Sequence, residues 1–299
     1  IPGGADHYRD PADGGWGFAD ERHPWPVSDC TAEALEALIH TAHRGVAEPL
    51  PRARQLAALR FVLGRQNEDG GFGSYEPRRG SMALKYFNPA EIYGNCMLEY
   101  SYSECTASCV RGLAVARRAL GPELPPGLRG EIDAAIDRGV QFLLRAQHPD
   151  GGWLGFWGIN ITYGTFFVVP ALLAAGIPHQ HASIRRAVRW LVAHQRPDGG
   201  WGESFEGLLH GRDVQLPPGE PSLVVQTAWA VLTLLSAASG EEEAIRRGIS
   251  YLLAKQADHG GWPKERASGV FFNTAVLDYD LYKLVFPAWA LARYLGAQR

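Results

Sequence analysis

The sequence predicts an all-α chain built as an α/α barrel of helical hairpins. Three observations predict it. A glutamine-to-aromatic motif recurs at fixed spacing, helical periodicity fills the stretches between its copies, and strand alternation is nearly absent.

The motif comes first. Gln66 leads to Gly70-Gly71-Phe72, Gln147 to Gly151-Gly152-Trp153, Gln195 to Gly199-Gly200-Trp201 and Gln256 to Gly260-Gly261-Trp262. A degenerate copy is Asp13-Gly14-Gly15-Trp16. An apolar helical triplet precedes each glutamine, as in Trp190-Leu191-Val192. A helix therefore ends near the glutamine, and the glycine pair permits the left-handed turn that follows. The aromatic folds back, and the glutamine amide reaches the backbone of a neighbouring turn. These Gln-to-Trp repeats read as structural staples, not as a binding site.

Amphipathic periodicity marks helices over 31–43, 52–66, 105–120, 128–147, 161–176, 182–195, 222–238, 241–256 and 286–297. They are of two kinds. Those that end in a repeat glutamine carry many charges, as in Ile184-Arg185-Arg186. The others are apolar nearly all round, such as 222–238 and 286–295. The first kind suits an outer ring and the second an inner ring. The pattern holds five inner and four outer helices, so a barrel of six plus six lacks about three. The chain, residues 1–299, is expected to be the C-terminal part of a catalytic barrel domain. The first barrel helices and a further N-terminal barrel are expected to lie outside it.

Composition bounds the function. The chain is 46% hydrophobic and 20% charged, with net charge −3, which gives no electrostatic reason to expect nucleic acid. Cys30, Cys96, Cys105 and Cys109 form no Cys-x-x-Cys pair, and no histidine pair follows at zinc spacing. No metal site is expected, and the sparse thiols suit a reducing compartment. The longest apolar run, 166–177, is too short to span a bilayer and is broken by Pro170. A cytoplasmic chain that meets a membrane at most peripherally is the expectation.

Chemistry concentrates in Val27-Ser28-Asp29-Cys30-Thr31-Ala32-Glu33, which opens the first inner helix. Asp29 has two readings: an N-terminal capping carboxylate, or a proton donor. Trp16, Phe18 and Trp25 precede it, and an apolar pocket would hold its carboxyl protonated. Glu104-Cys105-Thr106 repeats the acid-Cys-Thr opening at the next inner helix, which would place Cys105 near Cys30. The alternative is a pair of ordinary buried thiols. Phe18, Tyr75, Tyr86, Phe87, Tyr93, Trp157, Tyr163, Phe166, Phe271, Phe272 and Tyr279 are expected to face inward near inner-helix entrances. As bare aromatics they read as core. As a group they could line a cavity whose ring faces attract cations without trapping them.

Together the Gln-to-Trp repeats, Asp29-Cys30-Thr31-Ala32-Glu33, Glu104-Cys105-Thr106, Trp157-Gly158-Ile159-Asn160-Ile161-Thr162-Tyr163-Gly164-Thr165 and Gly269-Val270-Phe271 resemble the oxidosqualene cyclases, class II triterpene cyclases. The resemblance covers residues 8–295. Related squalene–hopene cyclases carry an Asp-Asp-Thr-Ala version of the acid motif. A strained epoxide opens on protonation more easily than a plain alkene, which gives that difference a chemical sense.

The resemblance implies a terpenoid cyclase toroid that takes 2,3-oxidosqualene without a cofactor. Asp29 would protonate the epoxide, with Cys30 and Cys105 bonded to it and Glu33 aiding its reprotonation. Phe18 and Trp157 would face early ring cations and Phe271 later ones. Tyr75, Tyr93, Tyr163 and Tyr279 would line the cavity. His23 and Val27 fall where the family steers products: the valine resembles lanosterol synthases and the histidine cycloartenol synthases. Phe272 departs from the asparagine of many members. Members are more than twice this long, which implies an N-terminal half supplied as missing segment or separate chain, and substrate entry from a membrane surface.

The same residues admit other readings. A shortened cyclase could act alone on a smaller prenyl or meroterpenoid substrate. A prenyltransferase β-subunit shares the toroid but needs a zinc site, which bound zinc would reveal. A non-catalytic barrel subunit would not need an acid–thiol pair, and Asp29→Asn separates it from an enzyme.

Overall fold

Nine amphipathic segments become helices close to their expected limits. The computed structural model describes residues 8–20, 24–90, 92–272 and 274–297. Its helices are α1 (Ser28–His43), α2 (Arg52–Leu63), α3 (Ser103–Leu120), α4 (Pro126–Arg145), α5 (Ile161–Ala174), α6 (Ala182–Ala193), α7 (Glu206–His210), α8 (Val224–Ser236), α9 (Glu242–Lys255) and α10 (Tyr282–Ala297). α7 is additional. At 5 residues it is too short to display a period. Two small antiparallel ladders also escape the pattern: β1 (Trp16–Gly17) with β2 (Pro26–Val27), and β3 (Gly269–Phe271) with β4 (Ala275–Leu277).

The chain divides into two units. The first holds the chain up to residue 88, 97–146 and 174–176. In it α1 lies against α3, and α3 against α4. α3 is buried from Glu104 to Val110, as an inner helix should be. A side chain at Gly112 would come 2.7 Å from the Ala32 carbonyl oxygen, so glycine lets α3 meet the α1 backbone. α4 turns Asp137 and Arg138 outward and buries Ile132, Ile136 and Leu143.

The second unit holds 89–96, 147–173 and the chain from 177. Its centre is α8, buried from Val224 to Leu234, with α9 and α10 packed on it. Trp229 is fully buried among Tyr163, Phe166 and Phe286. α10 departs from expectation. Its sequence reads as an inner helix, yet only Pro287 and Ala290 are buried, while Leu284 is 45% and Leu295 62% exposed. An apolar sequence sets what a helix can bury, but the neighbours decide what it does bury.

The staples repeat in atomic detail. Gln195 Nε2 donates to Gly199 O at 2.8 Å, closing its own turn, and to Ala244 O at 2.8 Å, in the first turn of α9. Gln66 does the same to Gly70 O and Ala135 O, and Gln147 to Gly151 O and Ser183 O. Gly199 sits at φ +91°, and a Cβ there would meet Arg247 O at 2.8 Å. That site needs glycine twice over, for its backbone angle and for the close approach. The aromatics that follow, Phe72, Trp153 and Trp201, are buried.

A second device ties four of the five aromatic turns to an inner helix. The backbone N–H of the repeat aromatic donates to a threonine in the opening of that helix. Trp16 uses Thr31 (2.8 Å), Phe72 uses Thr106 (2.8 Å), Trp153 uses Thr165 (3.1 Å) and Trp201 uses Thr227 (3.0 Å). The threonines of the two acid-Cys-Thr motifs are therefore structural ties. A third device caps helix starts. Buried Glu203 accepts from the N–H groups of Ile161 and Thr162, and Glu265 from those of Val224 and Val225. Each carboxylate answers the unpaired donors of a first turn.

Candidate active site

The start of α1 sets the acid. Val27 ends β2 in extended conformation and precedes the helix, so its carbonyl takes the Thr31 hydroxyl at 2.7 Å. Ser28 clamps this start to the loop after the first staple. Its N–H donates to Ser74 O (2.7 Å) and its hydroxyl to Gly73 O (2.6 Å). Asp29 then falls in the first turn, facing α3. Its Oδ1 accepts the Cys30 N–H at 2.8 Å, and its Oδ2 accepts the Cys105 thiol at 3.4 Å. Val27 and Cys105 are buried, while Asp29 and Cys30 keep part of their surface accessible.

Two opposed effects act on this carboxyl. The surrounding protein desolvates it and raises its pKa above the ordinary carboxylate range; the bonds from the Cys30 N–H and Cys105 pull it back down. The first effect favours the protonated form. The second prepares donors for the carboxylate left once the proton has gone. Such a group has the properties a general acid needs. Both thiols are themselves held above their ordinary range, by burial and then by the Asp29 charge. They remain S–H donors rather than thiolate nucleophiles. Cys30 meets Asp29 chiefly through its main chain, its thiol adding a weaker interaction.

Glu33, one turn along α1, is bonded by the Ser108 hydroxyl at 2.7 Å. Protein crowds its carboxyl although its outer side is exposed, and solvent there screens the effect. Its pKa is pushed up to about 7, first by desolvation and then by the Asp29 charge, against the Ser108 bond and the Arg111 charge. Near neutral pH it can therefore hold or release a proton. Ser108→Ala removes a bond that favours the charged form, so the Glu33 titration midpoint should move upward. Carboxyl carbon chemical shifts followed against pH read this directly, and an unmoved midpoint would contradict the assignment.

Tyr75 lies in the same unit. Its N–H donates to Glu99 Oε1 at 2.5 Å. Its hydroxyl pKa is pushed up to about 12 by burial and then by the Asp29 and Glu99 charges, which places the phenol within electrostatic reach of the acid. Phe18 also belongs to this unit, but it is 55% exposed. The loop that carries it lies outside any helix, and the expected inward placement is not found. His23 lies outside the described residues.

In the second unit Tyr93, Trp157 and Phe271 come together. Phe271 is 5.7 Å from Tyr93 and 5.8 Å from Trp157, centroid to centroid. Phe272 joins them, 5.4 Å from Trp157 and 4.7 Å from Phe271. It does so at φ +47°, a strained conformation for a bulky residue, which lets two successive rings share one cluster. Tyr163 goes elsewhere: it is buried against Phe167 and Trp229 in the core. Tyr279 lies over Gly269, where a Cβ would touch its ring at 2.4 Å, and beside Tyr282. Tyr86 and Phe87 are exposed.

An open cavity of about 550 Å³ lies in the first unit, and Asp29 does not line it. Arg9, Arg54 and Arg65 line it together with Asp10, Asp13 and Glu76, beside the apolar Trp25 and Pro26. Among the described residues no three His, Cys, Asp or Glu side chains gather as metal ligands. No described helix is long and apolar enough to cross a membrane.

Comparison with known proteins agrees with this picture. The chain is 43% identical over 288 residues to the cycloartenol synthase of Dictyostelium discoideum, with 96% of the chain covered. It is 36% identical over 294 residues to the human lanosterol synthase, again with 96% covered. It spans about 40% of the length of these relatives. Among solved structures it resembles the type II terpene cyclase MstE from Scytonema, at TM-score 0.55 and 19% identity, covering 87% of this chain and 65% of that one. It also resembles the ent-copalyl diphosphate synthase from Streptomyces platensis, at TM-score 0.52 and 22% identity, covering 89% and 50%. These likenesses bear out the all-α, α/α-barrel fold class. Residues 4–296 match the squalene-hopene cyclase C-terminal domain, and the chain belongs to that family.

Proposed function

We propose that this chain is the catalytic C-terminal part of an oxidosqualene cyclase, with Asp29 as the acid that opens the epoxide of 2,3-oxidosqualene. The observation that carries the reading is the carboxyl of Asp29, raised by desolvation yet met on both oxygens by donors from Cys30 and Cys105. The names of the relatives, cycloartenol and lanosterol synthases, support the substrate.

Proton transfer from Asp29 to the epoxide oxygen breaks a C–O bond and leaves a carbocation. Successive double bonds then close rings onto it, and loss of a proton ends the cascade. The sum is an isomerisation, so a proton suffices and no cofactor enters. Trp157 and Phe271 are assigned to the cations, with Tyr75, Tyr93 and Tyr279 as further cavity residues; exposed Phe18 and core-packed Tyr163 are left out of that set. Glu33 resupplies Asp29 through water. Val27 and His23 steer the product. The remaining barrel helices and the N-terminal half come from further polypeptide, which also carries the contact with the membrane that stores the substrate.

The test replaces the matched region of the Dictyostelium cycloartenol synthase by this chain and assays oxidosqualene, with the chain alone in parallel. Cyclic triterpene alcohol from the chimera alone is expected. Turnover by the isolated chain would refute the need for further polypeptide, and a folded but inactive chimera would refute the cyclase assignment.

A further inference from the structure

Ser74 stands outside the acid-Cys-Thr motifs, yet its hydroxyl oxygen lies 3.3 Å from Cys105 Sγ, and Cys105 Sγ lies 3.4 Å from Asp29 Oδ2. Ser74 is 3% exposed and Cys105 0%, so water does not compete for either group. A thiol carries one proton, and two acceptors face it here. A carboxyl oxygen accepts more strongly than an alkyl hydroxyl, and a hydroxyl donates more strongly than a thiol. We propose that Ser74 is a positioning residue for the acid: it donates its hydroxyl proton to Cys105 Sγ and so directs the S–H onto Asp29 Oδ2.

The consequence is a relay running Ser74 O–H to Cys105 S–H to Asp29. Donation into the sulfur polarises the S–H bond and strengthens the next link. The relay is rigid at both ends. Ser74 is clamped to α1 through Ser28, which bonds Ser74 O and Gly73 O, and Cys105 sits in the first turn of α3.

The repeats supply a second argument. Ser74 lies two residues after the staple aromatic Phe72, and Glu203 lies two residues after Trp201. Both meet the first N–H of the inner helix that precedes their staple. Glu203 does so with its carboxylate, to Ile161; Ser74 does so with its carbonyl, to Ser28. A capping carboxylate at position 74 would set a second negative charge beside Asp29. A serine leaves the cap to the main chain and frees a neutral hydroxyl for Cys105.

The inference rests on Asp29 being the proton donor, but the first part of its test does not. The S–H stretching band of the folded chain is recorded by infrared spectroscopy, and Cys105→Ala identifies the band by removing it. Asp29→Ala should move the band to the free-thiol position. Ser74→Ala should move it part of the way, and Ser74→Thr should restore it. If alanine at 74 does not fold, the Thr and Val variants differ in the hydroxyl alone and give the same comparison. In the cyclising chimera Ser74→Ala should lower kcat about fivefold, as for loss of one ordinary hydrogen bond, with KM held and recovery by threonine. A band unmoved by Ser74→Ala overturns the relay. So does a band that moves with Ser74→Ala but not with Asp29→Ala, since the S–H would then point at Ser74. Bands that shift as expected while Asp29→Asn leaves turnover intact uphold the relay and refute the acid assignment.

Discussion

Asp29→Asn is expected to lower cyclisation in the chimera by at least about 10³-fold, the scale of a lost general acid, while the helices remain folded. The amide is close in shape to the carboxyl, and its oxygen still accepts the Cys30 N–H. The Cys105 sulfur can turn from donor to acceptor toward the amide nitrogen. What disappears is the transferable proton. The sign of the pH effect on stability also follows. The folded carboxyl holds its proton above the ordinary value of 3.8, where the unfolded chain gives it up. Its contribution is full below that pH and falls as pH rises toward the folded value. The variant should therefore gain on the parent in thermal midpoint as the buffer is taken from acid to neutral. Product formation by gas chromatography and melting curves at both pH values measure the two effects. Turnover within about tenfold of the parent would remove Asp29 from the reaction.

The second large effect is structural. Trp201→Ala should destabilise the chain by about 3–5 kcal/mol, the range for deleting a buried aromatic. Trp201 is 1% exposed, its Nε1 donates to Leu191 O at 2.7 Å, and α9 approaches it at Gly248. Trp201→Phe keeps a ring, as Phe72 does in its own staple, and should lose about 1 kcal/mol for the indole bond. Urea unfolding read by far-ultraviolet circular dichroism gives both values. A loss below about 1 kcal/mol for the alanine variant would mean that the staple does not hold this part of the fold.

These two positions also show what the chain discloses before it is folded. Trp201 was legible because its role is local: glutamine, glycine pair and aromatic follow one another at fixed spacing. Asp29 with Cys105 was legible for a different reason. The second and third residues of α1 and α3 repeat the same acid–thiol pair, and parallel register brings one helix start beside the other. The caps from Glu203 and Glu265 were not legible, because each serves a helix about forty residues earlier in the sequence. The threonine ties could have been found, since a threonine recurs at the fourth or fifth residue of α1, α3, α5 and α8. The exposure of Phe18 and α10 and the diversion of Tyr163 into the core depend on neighbours that periodicity does not reveal. Phe272 illustrates the same limit, since its place in the ring cluster comes from a backbone angle.

The reach of the staple glutamines has a consequence for how the chain comes apart. Gln66 bonds Ala135, Gln147 bonds Ser183 and Gln195 bonds Ala244, so each ties one hairpin to the next in sequence and to no other. Cohesion of this kind is a string of nearest-neighbour terms, as in a linear Ising chain. Each glutamine bond then acts on its own boundary, while the ring cluster of Tyr93, Trp157 and Phe271 adds ties between segments far apart in sequence. Replacing one such glutamine by alanine should therefore loosen a single boundary and leave the bonds at the others in place.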